Sequence, residues 1–598
     1  MSFDDDELGY TKLRSSIVKR LLRYLAPYKK SFGFSLLILS LALVADMVAP
    51  WVTGKVVETA ADSSQSAAER LRIVGFLAVL FIVSKLVQLT FAVLGDIVGA
   101  RAGQRAILDL RMQLYRHVLG KPMAFYQRHP VGRLVTRVSF DLENISQMYN
   151  TGVVTLLIDV VLFTVVAAIL LSMNLKMGLI TLACLPVMVL MTVIYQKLAR
   201  PIYLRERKAV ARLNAFLSEN IAGIKVVRLF AAENRQLGRM RAIVAENLRE
   251  TLGMMHANAL YVPGLSTLTY FVQILVLWYG GFLLQQGEIG LAVFVSYIFY
   301  LDHFFQPVRD IGEKINTIQI AAASAERIFR LLDDAEQLDS AREHCSLPVR
   351  GAVEFRNVVF GYREGQEVLR GLDFKIQPGE RVAFVGPTGA GKTSILKLIP
   401  RFYDVRSGAV LVDGVDVREW MRPELRRQVG VVQQDVHLFS GSVMDNLTLM
   451  NPRIDPVRAR EAAEAVNAAG FIKALEKGYD TEVREGGTLL STGQKQLVSF
   501  ARVLAANPGI LILDEATSSI DTRTEELIQD AMRKLMRGRT CLIVAHRLST
   551  VRDCDRIFVL DQGRIIEEGP HEELLRRGGL YAGLYRAQSA QQGGFSAG

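Results

Sequence analysis

Cysteine is scarce in this chain of 598 residues, and the four present are Cys184, Cys345, Cys541 and Cys554. Their spacing matches no metal-ligand pattern, which excludes a cysteine-rich metal site, and we expect structural thiols rather than disulfides. The N-terminal MSFDDDELGY is acidic and polar, so it lacks the basic and then apolar pattern of a cleaved signal peptide. Insertion into a membrane would therefore use internal segments.

Acidic residues are outnumbered by basic ones, 60 to 71, which gives a net charge of +11 and a pI near 9.4. That balance alone would fit a nucleic-acid-binding protein. Half of the residues are hydrophobic, however, and the mean hydropathy is +0.23. A membrane protein with basic cytoplasmic loops fits both numbers. A chain of this length exceeds what one hydrophobic core supports, so we expect two large domains.

Long apolar runs fill the first half of the sequence. About 20 apolar residues cross a hydrocarbon core of about 30 Å, and six runs are close to or above that length. Six such spans exclude a soluble nucleic-acid ATPase, so we expect no nucleic-acid partner and a lipid bilayer instead. The predicted spans cover residues 31–52, 73–94, 153–173, 177–194, 260–284 and 291–308.

The charges between the spans predict their orientation. The segments after the second and fourth spans carry eight and twelve Lys or Arg, and the other three loops carry three, one and none. The long basic segments, both termini and the second half of the chain should therefore be cytosolic, in a multi-pass protein of the cytoplasmic membrane. Ahead of the first span, TKLRSSIVKRLLRYLAPYKK predicts an interfacial helix on the inner leaflet.

The two basic segments, 95–152 and 195–259, have helical spacing and contain little Gly or Pro. We expect them to extend the spans as long helices. Each has one break, at GKPMAFYQRHPVG and at SENIAGIKVVRLF, where a helical hairpin could present a short transverse helix or simply turn.

Five ionisable residues fall in or near the spans: Asp46, Lys85, Asp159, Asp302 and His303. Such residues either line a substrate path or lie closer to the interface than the predicted boundaries imply. The sixth span, with VFVSYIFYLDHFF, is rich in aromatics. These suit an adaptable binding surface, but helix packing explains most of them more simply.

The apolar runs shorten to strand length near residue 350, where GAVEFRNVVFGY begins a predicted soluble α/β domain with a mixed sheet. We therefore divide the chain into a membrane domain (1–330), a linker (331–350) and a second domain (351–598). Within the second domain, GPTGAGKT lies between the buried strand RVAFV and the helical SILKLIPRFY, the context that confirms a phosphate-binding loop. Its glycines let backbone N–H groups approach phosphates, Lys392 places a cation on the β and γ phosphates, and Thr393 offers a hydroxyl to Mg²⁺.

Two adjacent acids follow the strand ILILD. Asp514 ends the strand, where its carboxylate can hold the hydration shell of Mg²⁺, and Glu515 is then available to polarise the attacking water. Beside a phosphate-binding loop, this reading outweighs plain surface charge.

The chain resembles a half-transporter of the ABC exporter family over nearly its whole length. The family signature begins at LSTGQ (490–494), Tyr362 resembles the adenine-stacking aromatic, and Gln434 resembles the glutamine that joins Mg²⁺ to the membrane domain. Asp521, at the end of SSID, resembles the loop that crosses the dimer interface, and His546 resembles the histidine at the γ-phosphate. TEVRE (481–485) and the two breaks resemble the segments that couple the domains.

The resemblance implies a domain-swapped exporter dimer of two six-span, ABC-domain chains, with ATP held between the two nucleotide-binding domains. It implies Glu515, His546, Lys392 and Gln434 as catalytic residues and Thr393, Gln434 and Asp514 as Mg²⁺ ligands. It also implies an extended set of nucleotide-binding residues: Tyr362, Gly386, Pro387, Thr388, Gly389, Ala390, Gly391, Lys392, Thr393, Ser394, Gln434, Ser491, Thr492, Gly493, Gln494, Asp514 and Asp521.

Thr492 departs from this otherwise complete set, because glycine would be expected between Ser491 and Gly493. A β-branched residue restricts the backbone and adds bulk where close approach to phosphate is needed. One reading is tolerated variation in a homodimer. The favoured one is a heterodimer, because heterodimeric exporters of the family pair an altered signature in one chain with a missing catalytic glutamate in the other.

The expected activity is ATP-driven export or flipping of an amphiphilic substrate by alternating access. An ATP-gated channel or regulatory half-transporter on the same fold is the alternative, and the full set of hydrolytic residues argues against it. A peptide exporter with a peptidase domain is disfavoured because little precedes the interfacial helix. Since fold does not determine function, the sequence does not identify the substrate.

Overall fold

The computed structural model describes residues 15–334, 349–363, 365–487, 489–514, 522–544 and 548–593. The chain divides into two compact units. The first is Met1–Leu119 with Val131–Ala335, and the second is Gly120–Pro130 with Glu336–Gly598. The second unit thus takes in a short segment from the first half of the sequence. Most of the predicted linker lies outside the described residues.

The first half of the chain is helical throughout its described part. A 3-10 turn at Ala26–Tyr28 and π-helical turns at Arg137–Asp141 and Met148–Val153 join some of its helices. The helices are α1 Ser15–Leu25, α2 Lys29–Asp46, α3 Val48–Ala61, α4 Ala67–Leu119, α5 Met123–Arg128, α6 Val131–Thr136, α7 Leu142–Gln147, α8 Val154–Met173, α9 Leu175–Ala183, α10 Leu185–Ala222, α11 Ile224–Leu229, α12 Glu233–Gln285 and α13 Leu291–Asp333.

Among the described residues, six helical stretches are long and apolar enough to cross a membrane, which confirms the predicted number of spans. The longest single helices, α4 and α12, have 53 residues each, so each is about 80 Å long and extends well beyond a bilayer core. The prediction that spans continue as long helices is therefore correct. The stretches are Ile17–Ala61, Ala67–Leu119, Val131–Met173, Leu175–Ala222, Glu233–Gln285 and Leu291–Asp333.

Two spans differ from the uninterrupted runs that the sequence predicts. The first bends at Met47, where α2 ends and α3 begins, with Pro50 in the first turn of α3. The fourth breaks at Cys184, and Pro186 lies in the first turn of α10. Proline has no N–H to lose at the start of a helix, which is why both breaks precede one.

The bundle buries part of the surface of each spanning stretch and leaves the rest exposed. Its core contains Val166, Val272, Tyr297, Phe304 and Phe305, all buried. Side chains such as those on α4 that face outward are large and apolar, as expected where lipid rather than water covers them.

The second unit contains a four-stranded antiparallel sheet and a six-stranded mixed sheet. The first has the order β2-β1-β4-β5 and the second β12-β11-β3-β10-β9-β6, while β7 and β8 form a separate pair. The strands are β1 Val353–Phe360, β2 Leu369–Ile376, β3 Arg381–Val385, β4 Ser407–Val412, β5 Val415–Asp416, β6 Val429–Val432, β7 Gly441–Ser442, β8 Glu482–Val483, β9 Ile510–Asp514, β10 Thr540–Val544, β11 Arg556–Asp561 and β12 Arg564–Gly569.

This unit has two hydrophobic cores, and helices pack on both of them. In the larger sheet, as far as it is described, only the β11–β12 pair is antiparallel. The parallel strands β3, β9 and β10, with the sequences RVAFV, ILILD and TCLIV, are largely buried apolar runs, typical of a sheet covered on both faces. The predicted α/β core with a mixed sheet is confirmed. The helices are α14 Lys392–Leu398, α15 Arg422–Gln428, α16 Val443–Thr448, α17 Pro456–Ala465, α18 Ala469–Lys473, α19 Thr492–Ala506, α20 Thr522–Met536, α21 Leu548–Arg552, α22 His571–Arg577 and α23 Leu580–Gly593.

Candidate nucleotide site

The predicted phosphate-binding loop follows β3 at the carboxyl edge of the six-stranded sheet. Along this edge, Phe384 of β3 lies opposite Val544 of β10, and Val544 lies opposite Asp514 of β9. Val432, which ends β6, lies opposite Leu513. Because parallel strands end at the same edge, the loop, Asp514 and the segment carrying Gln434 leave the sheet side by side.

Two glycines of the loop occupy positions that other residues would not fit. A Cβ on Gly386 would lie 2.1 Å from the carbonyl oxygen of Leu560, and one on Gly391 would lie 2.6 Å from the Leu369 side chain. Both have φ in the glycine-favouring range, at 152° and 101°. At the tip of the loop Pro387, Thr388 and Gly389 are exposed, whereas Ala390 is buried. The loop is therefore a backbone cradle open at its tip.

Lys392, at the start of α14, is buried and turns back into this cradle. Its ammonium donates hydrogen bonds to the carbonyl oxygens of Gly386 at 2.6 Å and Pro387 at 2.9 Å. Burial lowers the pKa of Lys392, and the nearby Asp514 carboxylate opposes that shift. A cation deprived of water in this way gains most from an anion placed in the loop.

Tyr362 is tied to the same helix. Its hydroxyl lies 3.0 Å from that of Ser394, and its ring meets the ring of Tyr403 edge-on at 5.2 Å. The ring remains partly exposed, and the Lys397 ammonium lies 5.7 Å from its centre. These contacts place a partly exposed aromatic ring beside the phosphate loop, and its role in stacking on a base stays a prediction. The Ser394 and Lys397 contacts were not predicted from the sequence.

The predicted Mg²⁺ ligands are hard oxygen donors. Thr393 contributes a hydroxyl from α14, Asp514 a carboxylate from the end of β9, and Gln434 an exposed amide from the loop after β6. No group of three or more His, Cys, Asp or Glu that could hold a metal occurs among the described residues. A single carboxylate with a hydroxyl and an amide fits Mg²⁺, which takes few protein ligands and shares the phosphates of its nucleotide.

Three predicted site residues lie outside the described residues: Glu515, Asp521 and His546. In the sequence, Glu515 directly follows Asp514 and His546 comes two residues after Val544. Their roles remain predictions.

The signature segment forms the N-terminus of α19. Ser491 caps this helix: its hydroxyl accepts from the Gln494 N–H at 3.3 Å, and the Gln494 side chain accepts from the Ser491 N–H at 2.9 Å. Gly493 is buried, whereas Ser491 and Thr492 are exposed. A capped N-terminus of a 15-residue helix offers N–H groups and a positive dipole end to an anion.

Thr492 is the first residue of α19, and its φ is not positive. Glycine's special backbone freedom is therefore not required here, and the concern that a β-branched residue restricts the backbone does not apply. The remaining difference from glycine is the size of the side chain, because the exposed Thr492 side chain lies at the end of the helix where an anion would approach.

The two breaks predicted in the basic segments both contain a short helix. One is α5, whose Phe125 is completely buried and whose Ala124 packs on the core of the second unit, while Gln127 bonds to Tyr403. The other is α11, which follows Gly223. Its surroundings are apolar but exposed, with Ile221, Leu229 and Phe230 between 70% and 81% accessible. The two helices thus differ sharply in burial, which the sequence did not predict.

Four of the five ionisable residues of the spans form ion pairs across helices, whereas Asp302 lies 3.7 Å from Arg309 of its own helix. Lys85 donates to Asp46 at 2.6 Å, and the same carboxylate lies 3.8 Å from His303 Nδ1. Lys314 pairs with Asp159. Such pairing compensates charge inside a bundle and explains these residues without a ligand.

The aromatics of the sixth span are mostly core residues. Tyr297, Tyr300, Phe304 and Phe305 are buried, and the Tyr300 hydroxyl donates to the Met47 carbonyl at 2.6 Å. Helix packing, the simpler interpretation, is thereby confirmed for these four.

Comparison with known proteins identifies the family of this chain. Residues 32–308 match the ABC transporter transmembrane region, and residues 369–518 match the ABC transporter family. An uncharacterized ABC transporter ATP-binding protein of Bacillus subtilis, YknV, is 35% identical over 98% of this chain and 97% of its own length. An ATP-dependent lipid A-core flippase of Syntrophus aciditrophicus is 36% identical over 81% of both chains.

Among solved structures, a bacterial Atm1-family ABC exporter with ATP bound superposes with a TM-score of 0.78 at 30% identity, covering 94% of this chain and 99% of that one. The chain thus contains the transmembrane region of the family followed by its ABC transporter domain. The chain belongs to the ABC exporters, as a half-transporter that couples one six-span membrane domain to one ATP-hydrolysing domain.

Proposed function

We propose that this chain exports or flips an amphiphilic molecule across the cytoplasmic membrane, with its termini and ATP-binding domain in the cytosol. The main support for this proposal is the structure of the phosphate-binding loop. Lys392 is buried and bonded to two carbonyls of the loop, contacts that a nucleotide phosphate would replace. Binding ATP would favour a closed, outward-facing dimer because ATP is sandwiched only there, and hydrolysis would release it.

Different residues of this chain have different roles in ATP hydrolysis. Lys392 neutralises the β and γ phosphates, the loop N–H groups orient them, and Tyr362 stacks on the base. Thr393, Asp514 and Gln434 would hold Mg²⁺, which supplies charge stabilisation at the phosphates when bound. Glu515 orients and polarises water, His546 contacts the γ-phosphate, and Ser491, Gly493 and Asp521 act across the dimer interface.

Replacing Glu515 by Gln tests this assignment. The variant should lose hydrolysis by at least a hundredfold while ATP binding is retained, because an amide cannot accept a proton from water. Turnover in purified protein and the affinity for a fluorescent ATP analogue measure the two effects. Glu461→Gln, an exposed change on α17, is the control and should alter neither. Unchanged hydrolysis in the Glu515 variant would rule out this base.

The exposure of α11 supports a dimer as the working unit. In one coupling helix, α5, Phe125 is buried within the second unit of its own chain, but Leu229 at the end of α11 and the flanking Ile221 and Phe230 are exposed. A cluster of exposed apolar side chains marks a contact surface. The domain of a second chain is the partner that the family's swapped architecture provides for it.

A heterodimer is our proposal for that assembly. Thr492 adds bulk at the N-terminus of α19, where the partner's nucleotide would bind, whereas the rest of the site is complete. In this arrangement the chain's own phosphate loop and Glu515 complete the active site, and its LSTGQ segment covers the weaker one.

The Thr492→Gly variant of the chain, purified alone, tests the heterodimer. Wild-type homodimers should hydrolyse ATP weakly, because Thr492 would crowd both sites, and the glycine variant should be several-fold faster. Glu515→Gln in the same background should return hydrolysis to background level. Robust, saturable hydrolysis by the wild-type chain alone, with no gain from glycine, would contradict the heterodimer.

A further inference from the structure

The predicted interfacial helix, α1, is fixed to the helical bundle along one side. Its Leu21 and Leu25 are buried, and the Leu21 carbonyl oxygen accepts a hydrogen bond of 2.8 Å from the Tyr149 hydroxyl. The Tyr24 hydroxyl donates to the side chain of Gln113 on α4 at 2.9 Å. These contacts hold α1 in one rotation about its axis, so its opposite side faces away from the bundle.

One cation of α1, Arg20, belongs to the side that contacts the bundle. Its guanidinium forms a two-pronged ion pair with Asp333 of α13, at 2.6 and 2.7 Å, and lies 4.2 Å from the centre of the Phe329 ring. The Tyr24 ring stacks on the same Phe329 ring at 6.1 Å. Arg20 is therefore engaged within the protein and strengthens the attachment of α1.

The outer side of α1 carries two further cations. Four exposed residues at spacing i, i+3, i+4 and i+7 share this face of the helix: Lys19, Leu22, Arg23 and Ala26. Within the part of the chain that the structure describes, neither Lys19 nor Arg23 has an ion-pair partner. Unpaired cations beside an exposed leucine are typical of a helix that lies at the boundary between lipid head groups and acyl chains.

The start of α2 continues this cationic surface into the membrane. Lys29 and Lys30 are exposed, and neither forms an ion pair with a described residue. Three exposed apolar residues follow Lys30 on the same helix face, at i+4, i+7 and i+11: Phe34, Leu37 and Leu41. The helix rises about 16 Å from Lys30 to Leu41, close to half of a hydrocarbon core of about 30 Å. This face therefore presents a cation followed by an apolar strip as long as one lipid leaflet is deep.

Acidic side chains do not neutralise this surface. The sequence has no Asp or Glu between residues 15 and 45. Of the acids that contact this part of the chain, Asp333 is paired with Arg20, and Asp109 of α4 accepts from the Tyr28 hydroxyl at 2.7 Å. The four outward cations of α1 and α2 therefore create a positive potential at the depth where lipid phosphates lie.

We propose that α1 and the start of α2 form a binding surface for an acidic phospholipid. The cations Lys19, Arg23, Lys29 and Lys30 bind its phosphate, and one acyl chain lies along the apolar strip of α2. A zwitterionic lipid has the same phosphate but adds a cation, which these side chains repel. Because the bundle already fixes α1, little conformational entropy is lost on binding. This surface is separate from the export function, and lipid binding to it requires no ATP.

Quenching of a tryptophan on the lipid-facing side of α2 tests the surface. The reporter is Phe34→Trp in a chain that also carries Trp51→Phe and Trp278→Phe, and the remaining Trp420 is buried, so lipid does not reach it. The full chain is reconstituted without ATP in phosphatidylcholine vesicles that contain either phosphatidylglycerol or phosphatidylcholine with the same brominated acyl chains. The brominated phosphatidylglycerol should associate with the reporter at least about fivefold more strongly, because each cation at an anionic surface contributes about that factor.

The triple variant Lys19→Gln/Arg23→Gln/Lys30→Gln should reduce this preference to within about twofold. The matched control is Lys197→Gln, which removes an exposed cation of α10 close to the predicted cytoplasmic end of the fourth span and should leave the preference unchanged. Retained ATP affinity verifies that each variant is folded. If the triple variant fails that check, salt decides: rising ionic strength should weaken the preference in the reporter chain without these substitutions.

Equal quenching by the two lipids, equal loss in Lys197→Gln, or a preference that does not depend on salt would overturn the proposal. So would a preference that appears only after Asp4→Asn/Asp5→Asn/Asp6→Asn, because the chain's own acidic N-terminal segment would then occupy the surface. Failure of the export function has a different signature. In that case the chain shows no ATP turnover that Glu515→Gln removes, while the preference for phosphatidylglycerol remains.

Discussion

At the scale of single residues, the site depends on positions where only one side chain fits. Gly386 is the clearest, because a methyl group there meets a β11 carbonyl at 2.1 Å while φ is 152°. The backbone of the loop cannot move away, since it leads directly from the buried strand β3.

Gly386→Ala should therefore lower stability by about 2–4 kcal/mol and reduce ATP affinity at least tenfold. Thermal unfolding of the full chain and titration with a fluorescent ATP analogue measure these effects. Gly414→Ala is the control for backbone strain alone, because Gly414 also has a positive φ, 83°, but has open space around it in the β4–β5 turn. That variant should keep wild-type ATP affinity. Equal loss of affinity in both would contradict the steric account.

The sequence predicted those parts of the site that local motifs determine, and it did not predict contacts between distant residues. GPTGAGKT and the acids after β9 are local motifs whose neighbours in the chain fix their structure, so the cradle and Asp514 could be placed from sequence. Tyr362 joining Ser394, and Tyr195 stacking on Tyr261, depend on which helix faces which. No spacing along the chain encodes such contacts.

At the scale of elements, the short helices α5 and α11 arise at similar breaks in the sequence, but Phe125 of α5 is buried whereas α11 has no buried residue. Their breaks were predicted from Gly and Pro, yet only packing distinguishes the buried Phe125 from the exposed Phe230. Thr492 is a second example. Its sequence context suggested that a β-branched residue would restrict the backbone there, but Thr492 is the first residue of α19, where that restriction does not apply.

The double variant Leu229→Ser/Phe230→Ser should abolish substrate-stimulated ATP hydrolysis while leaving ATP affinity within about twofold, because both side chains are exposed within their own chain. Hydrolysis with and without the stimulating amphiphile measures the coupling. Leu248→Ser, an exposed change on α12 away from the tip, should behave like wild type. Full stimulation in the double variant would show that α11 is not a coupling contact.

At the scale of the whole molecule, the family comparisons and the fold establish an ATP-driven exporter, and the substrate follows from chemistry that the fold does not fix. The six spans and the excess of basic over acidic residues could be predicted from the sequence, because a membrane restricts the length and the charge of the segments that cross or flank it. The ion pairs between spans were not, because they join residues of different helices, such as Lys85 with Asp46.

The most direct test is ATP-dependent transport by the tagged chain isolated from its native membrane with its associated partner and reconstituted into liposomes. The account predicts movement of an amphiphile that requires ATP and disappears in Glu515→Gln. Movement or ionic current that persists without ATP, and equally in the Glu515→Gln protein, would contradict it and favour a channel.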